Sequence, residues 1–278
     1  MTLVAAIQMA SGTHPPANLH EAARLLGEAA KAGAQLAVLP ENFALMGMRE
    51  EDKLAIREQP GAGMIQDFLS EQSRRLGLWI VGGTVPLDCG DEQRVTASCL
   101  VYDDQGRCLT RYDKIHLFDV RLPDHDEYYV ESESTRPGDS VVVMDTPFGR
   151  LGLAVCYDLR FPELFRSLLD EDVELIVLPA AFTAVTGRAH WEALLRARAI
   201  ENQVYLIAAA QGGYHVNGRE THGDSMIVDP WGNILDRLPR GSGVVLASLD
   251  RERQQAVRRS FPAISHRRLG CQLVHDKR

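Results

Sequence analysis

A chain of 278 residues that is 45% hydrophobic has ample material for one large core or two ordinary ones, and its net charge of −8 argues against nucleic acid as the main partner. No stretch is long and apolar enough for a membrane span, and the start, Met1-Thr-Leu-Val-Ala-Ala-Ile-Gln, lacks a basic region and a cleavage site, so a cytoplasmic location is expected. Cys89, Cys99, Cys108, Cys156 and Cys271 form no Cys-x-x-Cys pair and the nine histidines no zinc spacing, which argues for reduced thiols and against a disulfide framework, a metal or a cofactor.

In chain order, residues 3–9 read as a strand. Residues 18–32 read as a helix, with Asn18 its cap and Gly33 its stop. Residues 35–40 are a buried strand, and a helix over 62–76 ends at Gly77. Strands follow over 78–84, 95–102 and 108–113. The segment 115–139 has no period and is rich in Asp, Glu, Pro and Tyr; so long an irregular loop in a compact domain points to function. Strands over 141–145 and 151–156, a helix over 161–169 and a strand over 174–179 come next. A helix over 188–202 precedes strands over 204–210, 224–229, 233–237 and 243–249.

Ala34-Gln-Leu-Ala-Val-Leu-Pro-Glu-Asn-Phe43 echoes Val173-Glu-Leu-Ile-Val-Leu-Pro-Ala-Ala-Phe182, each after a helix. The echo suggests two similar α/β halves, and no Gly- or Ser-rich linker divides them, so 1–278 is expected to be one domain. Residues 250–278 carry Arg258, Arg259, Arg267, Arg268, Lys277 and Arg278 and read as a solvated tail or as an arm packing on a partner subunit.

Cys156 ends an apolar strand and opens Cys-Tyr-Asp-Leu-Arg-Phe-Pro-Glu163, where Pro162 suits a first helical turn. A thiol on such a turn can face a pocket near backbone N–H groups and a helix N-terminus. Glu41 follows Val-Leu-Pro at a strand's carboxyl end, where open α/β sheets hold their sites. Lys114 lies among Ile115, Leu117 and Phe118, and a buried ammonium demands carboxylate partners. Glu131 and Glu133 compete in a polar loop. Asp158, Arg160 and Glu163 read as an ion-pair network holding the turn, and His116 and His190 as structural rather than as bases.

Together, Leu-Pro-Glu-Asn-Phe43, Tyr-Asp-Lys-Ile-His-Leu-Phe118 and Gly-Leu-Ala-Val-Cys-Tyr-Asp-Leu-Arg-Phe-Pro-Glu163 resemble the three signature blocks of the nitrilase superfamily of carbon–nitrogen hydrolases, in order and separation. The resemblance continues through His190-Trp-Glu-Ala-Leu-Leu-Arg-Ala-Arg-Ala-Ile-Glu201 and Ser225-Met-Ile-Val-Asp-Pro-Trp-Gly232. It implies a four-layer αββα sandwich with two similar halves, pairing as a homodimer or higher homo-oligomer. It also implies a Glu–Lys–Cys site: Glu41 as general base, Lys114 as oxyanion stabiliser, Cys156 as nucleophile and Glu131, with Glu133 as the alternative, as second glutamate. The Tyr157 N–H would be the second oxyanion donor, a contribution of about 3–4 kcal/mol. Arg160, Phe182 and Thr183 complete the implied substrate-binding set.

The Cys-Tyr-Asp triplet is similar to the amidase branches, and the long blocks look most like the deaminated-glutathione amidases. The implied reaction is hydrolysis of a linear amide in a small carboxylate-bearing molecule, with an ω-amidase acting on 2-oxoglutaramate or an N-carbamoyl-amino-acid hydrolase as rivals. A silent binding protein on the same scaffold is the reading from another class. An anionic substrate on an acidic protein needs local cations, for which Arg160, Arg188 and Arg219 are the candidates. The pattern departs in the insert Asp124-His-Asp-Glu-Tyr-Tyr129, part of a candidate lid over 119–130, and in the end Leu269-Gly-Cys-Gln-Leu-Val-His275.

Overall fold

The computed structural model describes residues 1–121 and 128–270. The first half runs β1 (Thr2–Gln8), α1 (Pro15–Lys31), β2 (Leu36–Val38), α2 (Met64–Leu76), β3 (Trp79–Val81), β4 (Val85–Asp91), β5 (Arg94–Tyr102) and β6 (Cys108–Asp113). A small hairpin of β7 (Asp119–Arg121) and β8 (Tyr128–Val130) follows. The second half runs β9 (Val143–Thr146), β10 (Gly149–Leu153), α3 (Pro162–Asp170), β11 (Leu175–Ala180), α4 (Ala184–Asn202) and β12 (Tyr205–Ala210). It closes with β13 (Gly212–Tyr214), β14 (Glu220–His222), β15 (Ser225–Val228), β16 (Ile234–Leu238), β17 (Gly243–Leu249) and α5 (Arg251–Ser260).

These strands build two main sheets. One has the order β17-β1-β2-β3-β5-β4 with β6 paired to β5, and the other β16-β15-β12-β11-β10-β9. Each has a parallel trio at its heart, β1-β2-β3 in one and β10-β11-β12 in the other. The two echoing segments supply β2 and β11, the middle strands of those trios. The period of two along a strand explains the layering. On β1, Val4 and Ala6 point into the core between the sheets, while Ala5 and Ile7 point into the core under α1 and α2. On β2, Leu36 and Val38 divide from Ala37 and Leu39 in the same way. With α3 and α4 covering the second sheet, the result is a four-layer αββα sandwich.

Several expectations need correction. α1 starts at Pro15, three residues early, because proline needs no hydrogen-bonded N–H in a first turn. Asn18 is therefore inside the helix and does not cap it. Its buried amide instead bonds Gly12 N, Gly12 O and Ala44 O and so ties two loops together. α4 starts at Ala184 rather than 188, with Thr183 as its cap. β10 ends at Leu153, so Ala154 and Val155 lead to Cys156 outside the ladder. β4 and the β13–β14 hairpin were not foreseen. The segment read as irregular contains β7 and β8; residues 122–127 of the candidate lid lie outside the described residues.

α5 packs on its own chain. Buried Gln254 donates to Glu174 O and Gln203 O, and Arg258 to Val173 O. Cys271, Lys277 and Arg278 lie outside the described residues. Among the described residues no helix is long and apolar enough to cross a membrane.

Candidate active site

Three loops at the carboxyl ends of parallel strands or their neighbours converge on one point. Glu41 follows β2. Its backbone carbonyl accepts from Gln211 Nε2 at 3.0 Å, and the next residue, Asn42, turns the chain at φ 57 with its N–H bonded to Thr84 Oγ1. Gly83, at φ 56, lets a second loop pass beneath: a Cβ there would stand 2.2 Å from Pro40 O. Lys114 follows β6 and is clamped by backbone bonds from its own N–H to Ala97 O and from Gly138 N to its carbonyl. Cys156 follows β10 and opens a tight 3₁₀ turn at φ 48, the left-handed region, which a non-glycine residue occupies at a cost of order 1 kcal/mol.

The side chains meet in a nearly dry cluster. Lys114 Nζ lies 2.8 Å from Glu41 Oε1 and 2.7 and 2.9 Å from the two oxygens of Glu131. Lys114 is 2% exposed and Glu41 5%. Glu131 also accepts from Phe118 N at 2.7 Å, whereas Glu133 is exposed. Burial alone would discourage the ammonium. The charges of Glu131 and Glu41 outweigh it and hold Lys114 well above the ordinary lysine range. Burial pushes the Cys156 thiol well above its ordinary value, the charge of Glu41 adds to this, and Lys114 offsets it only in part. The backbone N–H of Ala181 points at Sγ from 3.5 Å.

Asp158 sets the turn that carries Cys156. It is fully buried and accepts from Tyr112 Oη, Val155 N, and both the backbone N–H and ring Nδ1 of His116. The His116 ring stacks on Phe161 at 3.7 Å. The expected ion-pair network is thus a hydrogen-bonded one centred on Asp158. Arg160 bonds His190 Nδ1 instead, and Glu163 is exposed. Neither His116 nor His190 lines the cavity.

Cys156 opens into a cavity of about 500 Å³, counting its mouth. Tyr157, Arg160, Phe182 and Thr183 line it, as does Arg219. The Arg160 guanidinium sits 5.2 Å from the Phe182 ring centre. Arg188, exposed on α4, does not line it. Glu50, Lys53 and Thr186 also line the wall and were not foreseen. In sequence, Arg49-Glu50-Glu51-Asp52-Lys53 looks like an ordinary solvated run. Burial discourages the charge of Glu50, yet Lys53, Arg219 and Lys114 together hold its carboxyl below the usual range. Among the described residues no group of His, Cys, Asp and Glu side chains is arranged to hold a metal ion.

Residues 3–259 match the carbon–nitrogen hydrolase family. Over 272 residues the chain is 42% identical to the deaminated glutathione amidase of Yersinia enterocolitica, covering 98% of this chain and 94% of that one. It is 40% identical to the human deaminated glutathione amidase over 272 residues, 96% of this chain and 83% of that one. A Saccharomyces cerevisiae member of branch 10 of the nitrilase superfamily superposes with a TM-score of 0.86 at 28% identity, covering 96% of this chain and 97% of that one.

Proposed function

The chain belongs to the carbon–nitrogen hydrolase family and hydrolyses amides, and on that premise we propose that Cys156, Glu41 and Lys114 carry the reaction through a thioester, with deaminated glutathione as the substrate. The observation that supports this most is the sharing of one buried ammonium by two glutamates, at 2.8 and 2.7 Å, on the wall of the cavity that Cys156 opens into.

Burial and the charge of Glu41 both push the Cys156 thiol up, so its attack calls for a base beside it. Glu41 takes the thiol proton as Sγ bonds to the amide carbon. The carbonyl oxygen becomes an oxyanion facing the Lys114 ammonium and the Tyr157 N–H. Collapse breaks the carbon–nitrogen bond, and the amine leaves with the proton that Glu41 held. Glu41 then takes a proton from water, whose oxygen attacks the thioester. Collapse of that adduct releases the acid, and the thiol recovers its proton. Glu131 keeps Lys114 in place and orients the substrate nitrogen. The protons belong to the cluster as a whole.

The substrate assignment draws on the relatives named above and on Arg160, Lys53 and Arg219 along the cavity, which suit an anionic amide. The test is a panel of deaminated glutathione, 2-oxoglutaramate, carbamoyl amino acids and simple nitriles, with product analysis. The expected result is the highest kcat/KM on deaminated glutathione, with cysteinylglycine and 2-oxoglutarate as products. Faster release of ammonia from 2-oxoglutaramate would instead make the protein an ω-amidase.

We also infer a homodimer. Ile200, Trp231 and Phe261 are about half exposed and adjoin one another: Trp231 meets Phe261 edge-on at 5.8 Å, and Ile200 covers Gly232. Light scattering should report twice the chain mass and, for Trp231→Lys, the single chain mass. A wild-type monomer would refute the pairing.

A further inference from the structure

Two cations border the catalytic cavity differently. Arg160 lines that cavity alone, whereas Arg219 also lines a wider adjoining groove of about 1310 Å³, counting its open mouth. Glu50 and Lys53 stand at the same junction. Beyond it the groove runs past Met48, Tyr128 and Tyr214, all strongly exposed.

Arg219 is fixed close to the sulfur. The peptide group that follows Ala181 gives its carbonyl to Arg219 Nη2 at 2.9 Å, while the Ala181 N–H points at Cys156 Sγ. The guanidinium also sits 5.0 Å from the Tyr129 ring centre. Its other donors are under-used. Nη1 is 3.8 Å from Glu50, and among the described residues the buried Nε has no hydrogen-bond partner. Glu50 is held more closely by Lys53, at 3.0 Å. Two cations thus share one carboxylate, and a guanidinium fork with unused N–H groups is suited to a second one.

We propose that Arg219 is a specificity-determining residue that reads a carboxylate on the leaving-amine side of the substrate, with Glu50 competing for it and Lys53 retaining Glu50 once the substrate arrives. This rests on the amidase reading above and narrows it. The favoured substrates are N-substituted amides whose amine half is an amino acid or short peptide with a free carboxylate. Primary amides, which release ammonia, leave Arg219 unused.

The test uses three amides with the same 2-oxo acyl half: the primary amide, the cysteinylglycine amide, and that compound with its terminal carboxylate converted to carboxamide. The wild-type protein should favour the free acid over the carboxamide by about 30-fold or more in kcat/KM. Arg219→Gln should lose most of that preference, chiefly through KM, with the loss on the free acid exceeding the loss on the primary amide and on the carboxamide by about 10-fold or more; Arg219→Lys should recover part of it. Glu50→Gln should raise kcat/KM for the free acid, because the competitor is gone. An equal loss on all three amides in Arg219→Gln would show that Arg219 merely supports the Ala181 peptide, and would overturn the proposal. So would a wild-type protein that hydrolyses all three without discrimination, although the amidase function would then stand. A wild-type protein inert on all three would overturn that function and this inference with it.

Discussion

At the scale of single residues, the cluster is held by charge that cannot be removed one piece at a time. Lys114→Ala would leave Glu41 and Glu131 facing each other in a nearly dry site, and breaking such a buried group costs about 3–5 kcal/mol. Denaturant midpoints should show that loss at neutral pH and a smaller one on acidification, as one carboxyl takes up a proton. The backbone at Cys156 carries a second signature. A left-handed φ of 48 favours glycine, so Cys156→Gly should be about 1 kcal/mol more stable than Cys156→Ala, though both are inactive. Glu41, Lys114 and Cys156 could be picked out in the sequence because each follows a strand within a recognisable block. Glu50 and Lys53 could not, because nothing local distinguishes a polar run that folds over a cavity from one that faces solvent.

At the scale of elements, the site depends on loops fixed from below. Gly83 shows this for Glu41: Gly83→Ala would drive a methyl group against Pro40 O and displace the loop that carries the carboxylate. A displacement of about 1 Å can cost 100-fold in rate, so kcat should fall by about that factor while overall secondary structure persists in circular dichroism. Unchanged kcat would show that the loop does not position Glu41. Strand and helix order was readable from the alternation of apolar runs. Starts and stops were less so: Asn18 looked like a cap because its side chain suits one, yet two prolines had already begun the helix. Arg188 was a candidate on charge alone, and charge does not say which side of a helix a cation occupies.

At the scale of the whole molecule, two sheets that each hold a parallel trio bring β2, β10 and β11 to a common centre, and the small β13–β14 hairpin lies beside it. His215 joins that hairpin to the loop after β1, through Ser11 O at 2.8 Å and Thr221 Oγ1 at 2.7 Å. Burial pushes its pKa below 6.5 and the charge of Arg219 acts in the same sense, with the bond to Ser11 only partly opposing them. A histidine depressed in the fold stabilises the neutral state above its unfolded value, and that stability is lost as pH falls through the folded value. Stability should therefore decline on acidification below about pH 6.5, and His215→Gln should reduce the slope of denaturant midpoint against pH. An unchanged slope would remove His215 from the account. The echo between residues 34–43 and 173–182 revealed the paired halves, but not the groove at their junction, which arises from segments far apart in the chain. The central claim is that the amide's acyl group is transferred to one sulfur. Rapid mixing with deaminated glutathione, an acid quench and peptide mass mapping test it directly. The account predicts a 2-oxoglutaryl thioester on Cys156 alone, absent in Cys156→Ala; turnover that persists in Cys156→Ala, or acylation of a different residue, would contradict it.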